Sequence, residues 1–165
     1  MQTNIMKLMD AMIDYDKGDA RRTQHFLKVH QLARFIGIKE QLDTDTQIAL
    51  EAAALVHDIG IRLAEKQFGR CDGKLQEALG PELAREMLQK LQFDPAMIER
   101  VCYLVGHHHT YSQIDGLDYQ ILVEADFLVN LYEDGCDRAA VAVAYENIFR
   151  TESGRKVCET MYGLC

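Results

Sequence analysis

The chain has no run of about twenty apolar residues, the length a membrane-spanning helix needs. Its opening stretch, "MQTNIMKLMDAMIDYDKGDARR", interrupts every apolar run with acids and shows no leader-cleavage pattern. Basic residues are the minority sign, 18 Lys and Arg against 26 Asp and Glu, for a net charge of -8. That deficit argues against a general nucleic-acid binder, which holds phosphate backbones through clustered Lys and Arg. It leaves room for a small phosphorylated ligand. Cysteines are few and scattered (Cys71, Cys102, Cys136, Cys158 and Cys165), with no C-x-x-C pair. An odd count and no leader fit a reduced, cytoplasmic, soluble setting in which most thiols act as small core residues. Tryptophan is absent, only two prolines occur, and no internal repeat or low-complexity tract is found. Alternating stretches bounded by hairpin turns are missing too, which argues against a sheet.

What is present is helical periodicity. At 165 residues the chain fits one domain over 1–165, long enough to bury roughly 70% of its unfolded surface. Ile5, Leu8, Met9, Met12 and Ile13 predict a first amphipathic helix, closed near Asp16-Lys17-Gly18-Asp19. A second opens about Ala20, turns Leu27, Val29, Leu32, Ala33 and Ile36 inward, and is expected to stop at Gly37. "DTDTQIALEAAALVHDIG" starts with Asp43 or Asp45 as cap and is read as ending on Gly60. "FGRCDGKLQEALG" reads as a loop, a plain connection or a lid, leading into a fourth helix. "GPELAREMLQKL" puts Pro81 near the first turn of a further helix, unless Gly80 merely kinks a longer one. Helices are also expected in "DPAMIERVCYLV", "YQILVEADFLVNLY" and "CDRAAVAVAYENIF", and in the C-terminal "FRTESGRKVCETMYGLC" with a frayed end. The fold class is therefore all-α, a single-domain helical bundle.

Against this pattern four polar residues sit on apolar stripes. His25 aligns with Val29, Leu32 and Ile36; His57 and Asp58 follow Leu50, Ala53 and Ala54; Asp126 lies between Leu122 and Val129. An unpaired buried carboxylate is costly, so these groups need a metal ion or a dense hydrogen-bond network. Two imidazoles and two carboxylates from three helices suit a borderline or hard divalent cation (Mn, Fe, Co, Mg or Zn) rather than a thiolate-bound structural zinc. About two coordination positions would remain for water and substrate.

In order and placement these elements resemble the HD superfamily of metal-dependent phosphohydrolases. The resemblance rests on His25 in "QHFLKVHQLA", His57-Asp58 in "LVHDIG" and Asp126 in "LVEADFL", and spans roughly Arg21 to Tyr132 as the metal-binding core. It implies an all-α HD-type bundle with His25, His57, Asp58 and Asp126 as metal ligands. It also implies hydrolysis of a phosphoester of a small metabolite or nucleotide by a metal-activated water, which Asp58 orients.

Some family features differ here. Members with "HDIGK" carry Lys where this chain has Ile61, followed by Arg62, and a Glu used there by some monophosphatases is also missing. Two-metal members place an additional His just before the helix resembling "GPELA", where this chain offers Gln76 and Glu77. "GHHHTY" lies where such members place a His pair. If the helix runs on through Gly106, His108 faces inward and His107 stands at the edge. Either can bind a second metal, hold phosphate or act as acid on the leaving oxygen, or the triplet is a solvated helix end.

Lys28, Arg62, Arg22 and Lys66 flank the ligands as candidate phosphate contacts or plain surface charges. His30 is read as a packed histidine, Glu124 as facing away from Asp126, and Cys71 as lacking a paired base. Two rival functions share the scaffold: a di-iron oxygenase, and a non-catalytic sensing or interaction domain. No stable nucleic-acid or membrane partner is expected, and a homo-oligomer is left open.

Overall fold

A computed structural model of the chain describes residues 2–164. These form α-helices joined by short turns and one longer loop over 106–116, with no strand among them: α1 (Gln2–Tyr15), α2 (Ala20–Lys39), α3 (Thr44–Val56), α4 (Ile61–Phe68), α5 (Gly73–Lys90), α6 (Pro95–Val105), α7 (Leu117–Glu133), α8 (Arg138–Ile148) and α9 (Glu152–Tyr162). The all-α class stands, and no helix among the described residues is long and apolar enough to cross a membrane. Cys165 lies outside the described residues, and Cys71, Cys102, Cys136 and Cys158 are free thiols.

The centre of the bundle is set by α3 and α7. A helix that is apolar all round belongs inside, and α3 is buried continuously from Ala49 to Val56. Its alanines, Ala49, Ala52, Ala53 and Ala54, keep its girth small, so that α1, α2, α6 and α7 all pack on it. In α7, Tyr119, Ile121, Leu122, Val123, Ala125, Leu128 and Val129 are likewise buried. The second pair, α5 and α6, packs together with α6 lying on α3, while α8 and α9 pack on α7 and on each other.

Helix starts follow the capping chemistry. Asp19, Asp43, Asp72, Asp94, Asp137 and Thr151 each accept backbone N–H groups of the first turn, relieving donors that the helix itself cannot satisfy. Asp43 rather than Asp45 serves α3.

Several glycine readings are corrected. Gly37 does not stop α2, which runs to Lys39, because Gly37 sits where Leu50 and Gln47 of α3 press close. Gly60 does not end α3; that helix stops at Val56, and His57–Gly60 form a tight turn into α4, a helix the sequence reading did not separate. The glycine-rich loop shrinks to 69–72, with Gly69 in the left-handed region at φ 66°. Pro81 lies inside an unbroken α5, the long-helix alternative.

Candidate metal centre

Two helices and one turn bring the polar residues together. His25 projects from the middle of α2, Asp126 from the middle of α7, and His57-Asp58 from the turn that ends α3. The ligating atoms of His25, His57 and Asp58 all lie within 4.8 Å of one another, and Asp126 adjoins both imidazoles: His25 Nε2 lies 3.2 Å from His57 Nε2, 3.3 Å from Asp58 Oδ2 and 3.2 Å from Asp126 Oδ1. His57 Nε2 in turn is 3.4 Å from Asp58 Oδ2 and 3.5 Å from Asp126 Oδ1. Donors about 2.1 Å from a shared cation stand about 3.0 Å apart at a right angle and about 3.4 Å apart at the tetrahedral angle. The spacings among His25, His57 and Asp58 fall in that range, and His57 Nε2 to Asp126 Oδ1 lies just beyond it.

Each imidazole is held by its other nitrogen. His25 Nδ1 donates to Glu133 Oε2 at 2.9 Å, His57 Nδ1 to the Ala54 carbonyl at 2.8 Å, and His108 Nδ1 to the Val105 carbonyl at 2.8 Å. Two of these contacts are the same device. The last carbonyls of α3 and α6 have no helical partner, and a histidine three residues on supplies the missing N–H. In the neutral ring the proton therefore sits on Nδ1, and Nε2 is the nitrogen turned inward. Since α3 packs on α6, two negative helix ends meet here and favour a cation between them.

Electrostatics point the same way. Burial alone would suppress the His57 imidazolium, but Asp58 and a hydrogen bond to Asp126 overcome it and lift His57 to about 9. Asp58 is resisted by burial too, yet His57 and His108 hold it down to about 2. Asp126 is likewise held well below the usual carboxylate range, by His25 and His57, despite its burial. The cavity is organised around positive charge. Two carboxylates and neutral imidazoles match a divalent ion in charge, so the residues present fit one.

A second group adjoins the first. Asp58, His108 and His109 bring ligating atoms within 4.8 Å of one another. His108 is 1% exposed, its Nε2 has no hydrogen-bond partner, and it lies 3.5 Å from Asp58 Oδ1. His109 Nε2 lies 2.9 Å from Gln76 Oε1, and its ring fits only because residue 73 is glycine; a Cβ there would come within 2.9 Å of it.

The remaining sequence candidates are placed differently. The helix does not run through Gly106: α6 ends at Val105, and His108 reaches inward from the turn beyond it. His107 is turned away, its Nδ1 bonded to the Tyr103 carbonyl at 2.7 Å and its ring stacked on Tyr103. Its expected place is taken by His109. Arg62 donates to the Tyr15 carbonyl, and Lys28 pairs with Glu133 at 2.7 Å; neither lines the cavity at the centre, whereas Arg22 does. His30 packs against Glu51, as its face suggested. Glu124 is wholly buried and takes hydrogen bonds from Gln120, Arg150 and Thr151.

Glu133, Gln76, His109 and Asn130, which donates to Asp126 Oδ1 at 2.9 Å, are the neighbours that sequence reasoning passed over as site residues. Asn130 and Glu133 follow Asp126 by four and seven residues on the same helical face, and His109 belongs to the histidine triplet.

The family model for the HD domain matches residues 22–144. The chain belongs to the HD-domain family. No curated protein matches it. This HD-domain chain is similar to the crystal structure of a predicted HD superfamily hydrolase from an uncultured Thermotogales bacterium. The two share 27% identity with a TM-score of 0.70, over 96% of this chain and 85% of the other. HD domains bind divalent metals, and the His and Asp groups here could hold one.

Proposed function

We propose that this HD-domain chain is a metal-dependent phosphohydrolase that cleaves a phosphoester bond of a small phosphorylated metabolite or nucleotide. The reading is carried by one observation: His25, His57 and Asp58 converge, with Asp126 against both imidazoles, while the outward nitrogen of each imidazole is already occupied. His25, His57, Asp58 and Asp126 are the proposed ligands. A divalent ion (Mn, Fe, Co, Mg or Zn) held there supplies Lewis acidity and a water that ionises near neutral pH.

The chain's own groups do the rest. Asp58 presents Oδ2 to His25 and His57 and Oδ1 to His108, so its carboxylate can orient a water without leaving the centre. His108 Nε2, which makes no hydrogen bond and stands 3.5 Å from Asp58 Oδ1, is placed to hold or pass a proton at that water or at the leaving oxygen. The family relation and the neighbour's name as a predicted hydrolase support the same class.

One observation favours a second reading. The Asp58-His108-His109 group can take another cation, which would serve a two-metal hydrolase or an HD-scaffold di-iron oxygenase. Metal analysis separates these: one ion per chain with phosphate release supports the leading proposal, and two irons with oxygen-dependent turnover support the oxygenase. The deciding experiment is turnover of a broad phosphoester panel by metal-loaded protein. Activity should disappear in His57→Ala and Asp58→Ala, and an inert metal-loaded wild type would overturn the proposal in favour of a sensing or interaction domain.

A further inference from the structure

The cavity over the centre has a volume of about 620 Å³ and is lined by six carboxylates but only two guanidiniums, Arg21 and Arg22. An anionic ligand entering it therefore depends on every positive charge available. Arg22 lies one helical turn before His25, and residues three apart on a helix are neighbours on one face. Its guanidinium is already engaged. Both oxygens of Glu65, from α4, lie 2.9 Å from the single nitrogen Nη2, and Nε is 3.5 Å from Asp19 Oδ2.

The geometry of that engagement matters. A carboxylate or phosphoryl group binds a guanidinium best when two oxygens meet two N–H groups side by side. Glu65 instead straddles one nitrogen, and the hydrogen bonds of Arg22 leave Nη1 out. The Glu65 side chain is 47% exposed, so it can leave into water at little cost. A phosphoryl group, with more oxygens and more charge than a carboxylate, has the better claim on the same guanidinium.

We infer that Glu65 is an autoinhibitory competitor, an internal anion that holds Arg22 until a ligand phosphoryl group displaces it. The inference rests on the phosphohydrolase reading for its biological sense, but the contact itself is a property of this chain. Its consequence is a conformational tax: apparent affinity for phosphate is reduced by the fraction of molecules in which Arg22 is caged. Because the tax is levied on binding, it raises KM and leaves kcat nearly untouched.

The test is calorimetric titration of metal-loaded protein with inorganic phosphate, which needs no turnover. Glu65→Gln should tighten phosphate binding by about fivefold, the upper weight of an exposed ion pair. Arg22→Gln should weaken binding and cancel the gain in the double variant, as two groups acting through one contact require. Asp134→Asn removes the same charge from the same cavity without a bond to Arg22, and should have the smaller effect. For any phosphoester that is hydrolysed, KM should fall with kcat held. Unchanged phosphate binding in Glu65→Gln, an equal gain from Asp134→Asn, a gain that survives Arg22→Gln, or weakening by Arg21→Gln in place of Arg22→Gln would each overturn the inference. Failure of the phosphohydrolase reading looks different: no variant turns over any ester, while the titrations still report on Glu65.

Discussion

Glu133 accepts the Nδ1 proton of His25 at 2.9 Å while its other oxygen meets Lys28 Nζ at 2.7 Å. The carboxylate orients the ring and raises the basicity of the nitrogen aimed at the centre. Partners of this kind are typically worth about 10–100-fold in metal affinity. Glu133→Gln, which keeps an acceptor but loses the charge, should sit at the low end of that range and Glu133→Ala at the high end. Competition against a chelator of known strength measures it, with circular dichroism to show that the helices persist. Equal affinity in all three proteins would remove Glu133 from the site.

Adjacent histidines should behave oppositely. His108 points its unpartnered nitrogen at Asp58, whereas His107 is stacked on Tyr103 outside the centre. His108→Gln is expected to lower kcat by about 10²–10⁴-fold, the usual weight of a positioned acid or base. His107→Gln should leave kcat within about twofold, with at most a small loss of stability from its capping bond. Steady-state kinetics on the two variants decides this, and a reversed order would mean that the turn after α6 is arranged otherwise in solution.

Acid stability has a separate source. Glu51 is 6% exposed in its side chain and is bonded to His30, Gln47 and Arg34. Burial favours its neutral form, yet the hydrogen bonds from His30 and Gln47 and the charge of Arg34 hold it below its ordinary 4.5. A carboxyl depressed on folding stabilises above its unfolded value and loses that contribution as the pH falls through its folded one. Glu51→Gln should therefore cost about 1–3 kcal/mol at pH 7. It should also flatten the decline in stability below pH 4.5. Thermal melts at pH 7 and pH 4 measure both effects, and parallel curves for wild type and variant would contradict the assignment.

The crossing of α5 over the His57–Gly60 turn tolerates no side chain. A Cβ at Gly60 would stand 3.0 Å from the Gly80 nitrogen and 3.1 Å from the Gln76 carbonyl, both backbone atoms that cannot rotate aside. Gly60→Ala should destabilise by about 1–3 kcal/mol, the common cost of overpacking. It should also disturb the Gln76–His109 contact, seen as altered binding of any second ion. Urea unfolding gives the first quantity and metal stoichiometry the second.

Much of this was legible in the sequence because helical architecture is written locally. Apolar spacing fixes a helix and its inward face, so α2, α6 and α7 were readable together with the inward placement of His25 and Asp126, and Asp94 before the first turn marks the start of α6. The meeting of these residues with His57 and Asp58 was read from their shared inward placement together with their resemblance to a known pattern. Glycine was the weak point. A glycine that ends a helix and one that admits a neighbouring helix look alike in one dimension, which is why Gly37 and Gly60 misled.

Tertiary structure alone decided which of three consecutive histidines face the centre, because that depends on the exact residue at which α6 ends. It also decided which charges are spent on each other: Arg22 on Glu65, Lys28 on Glu133, Arg62 on a backbone carbonyl. Pairing across elements requires positions in space, and local sequence carries directions only.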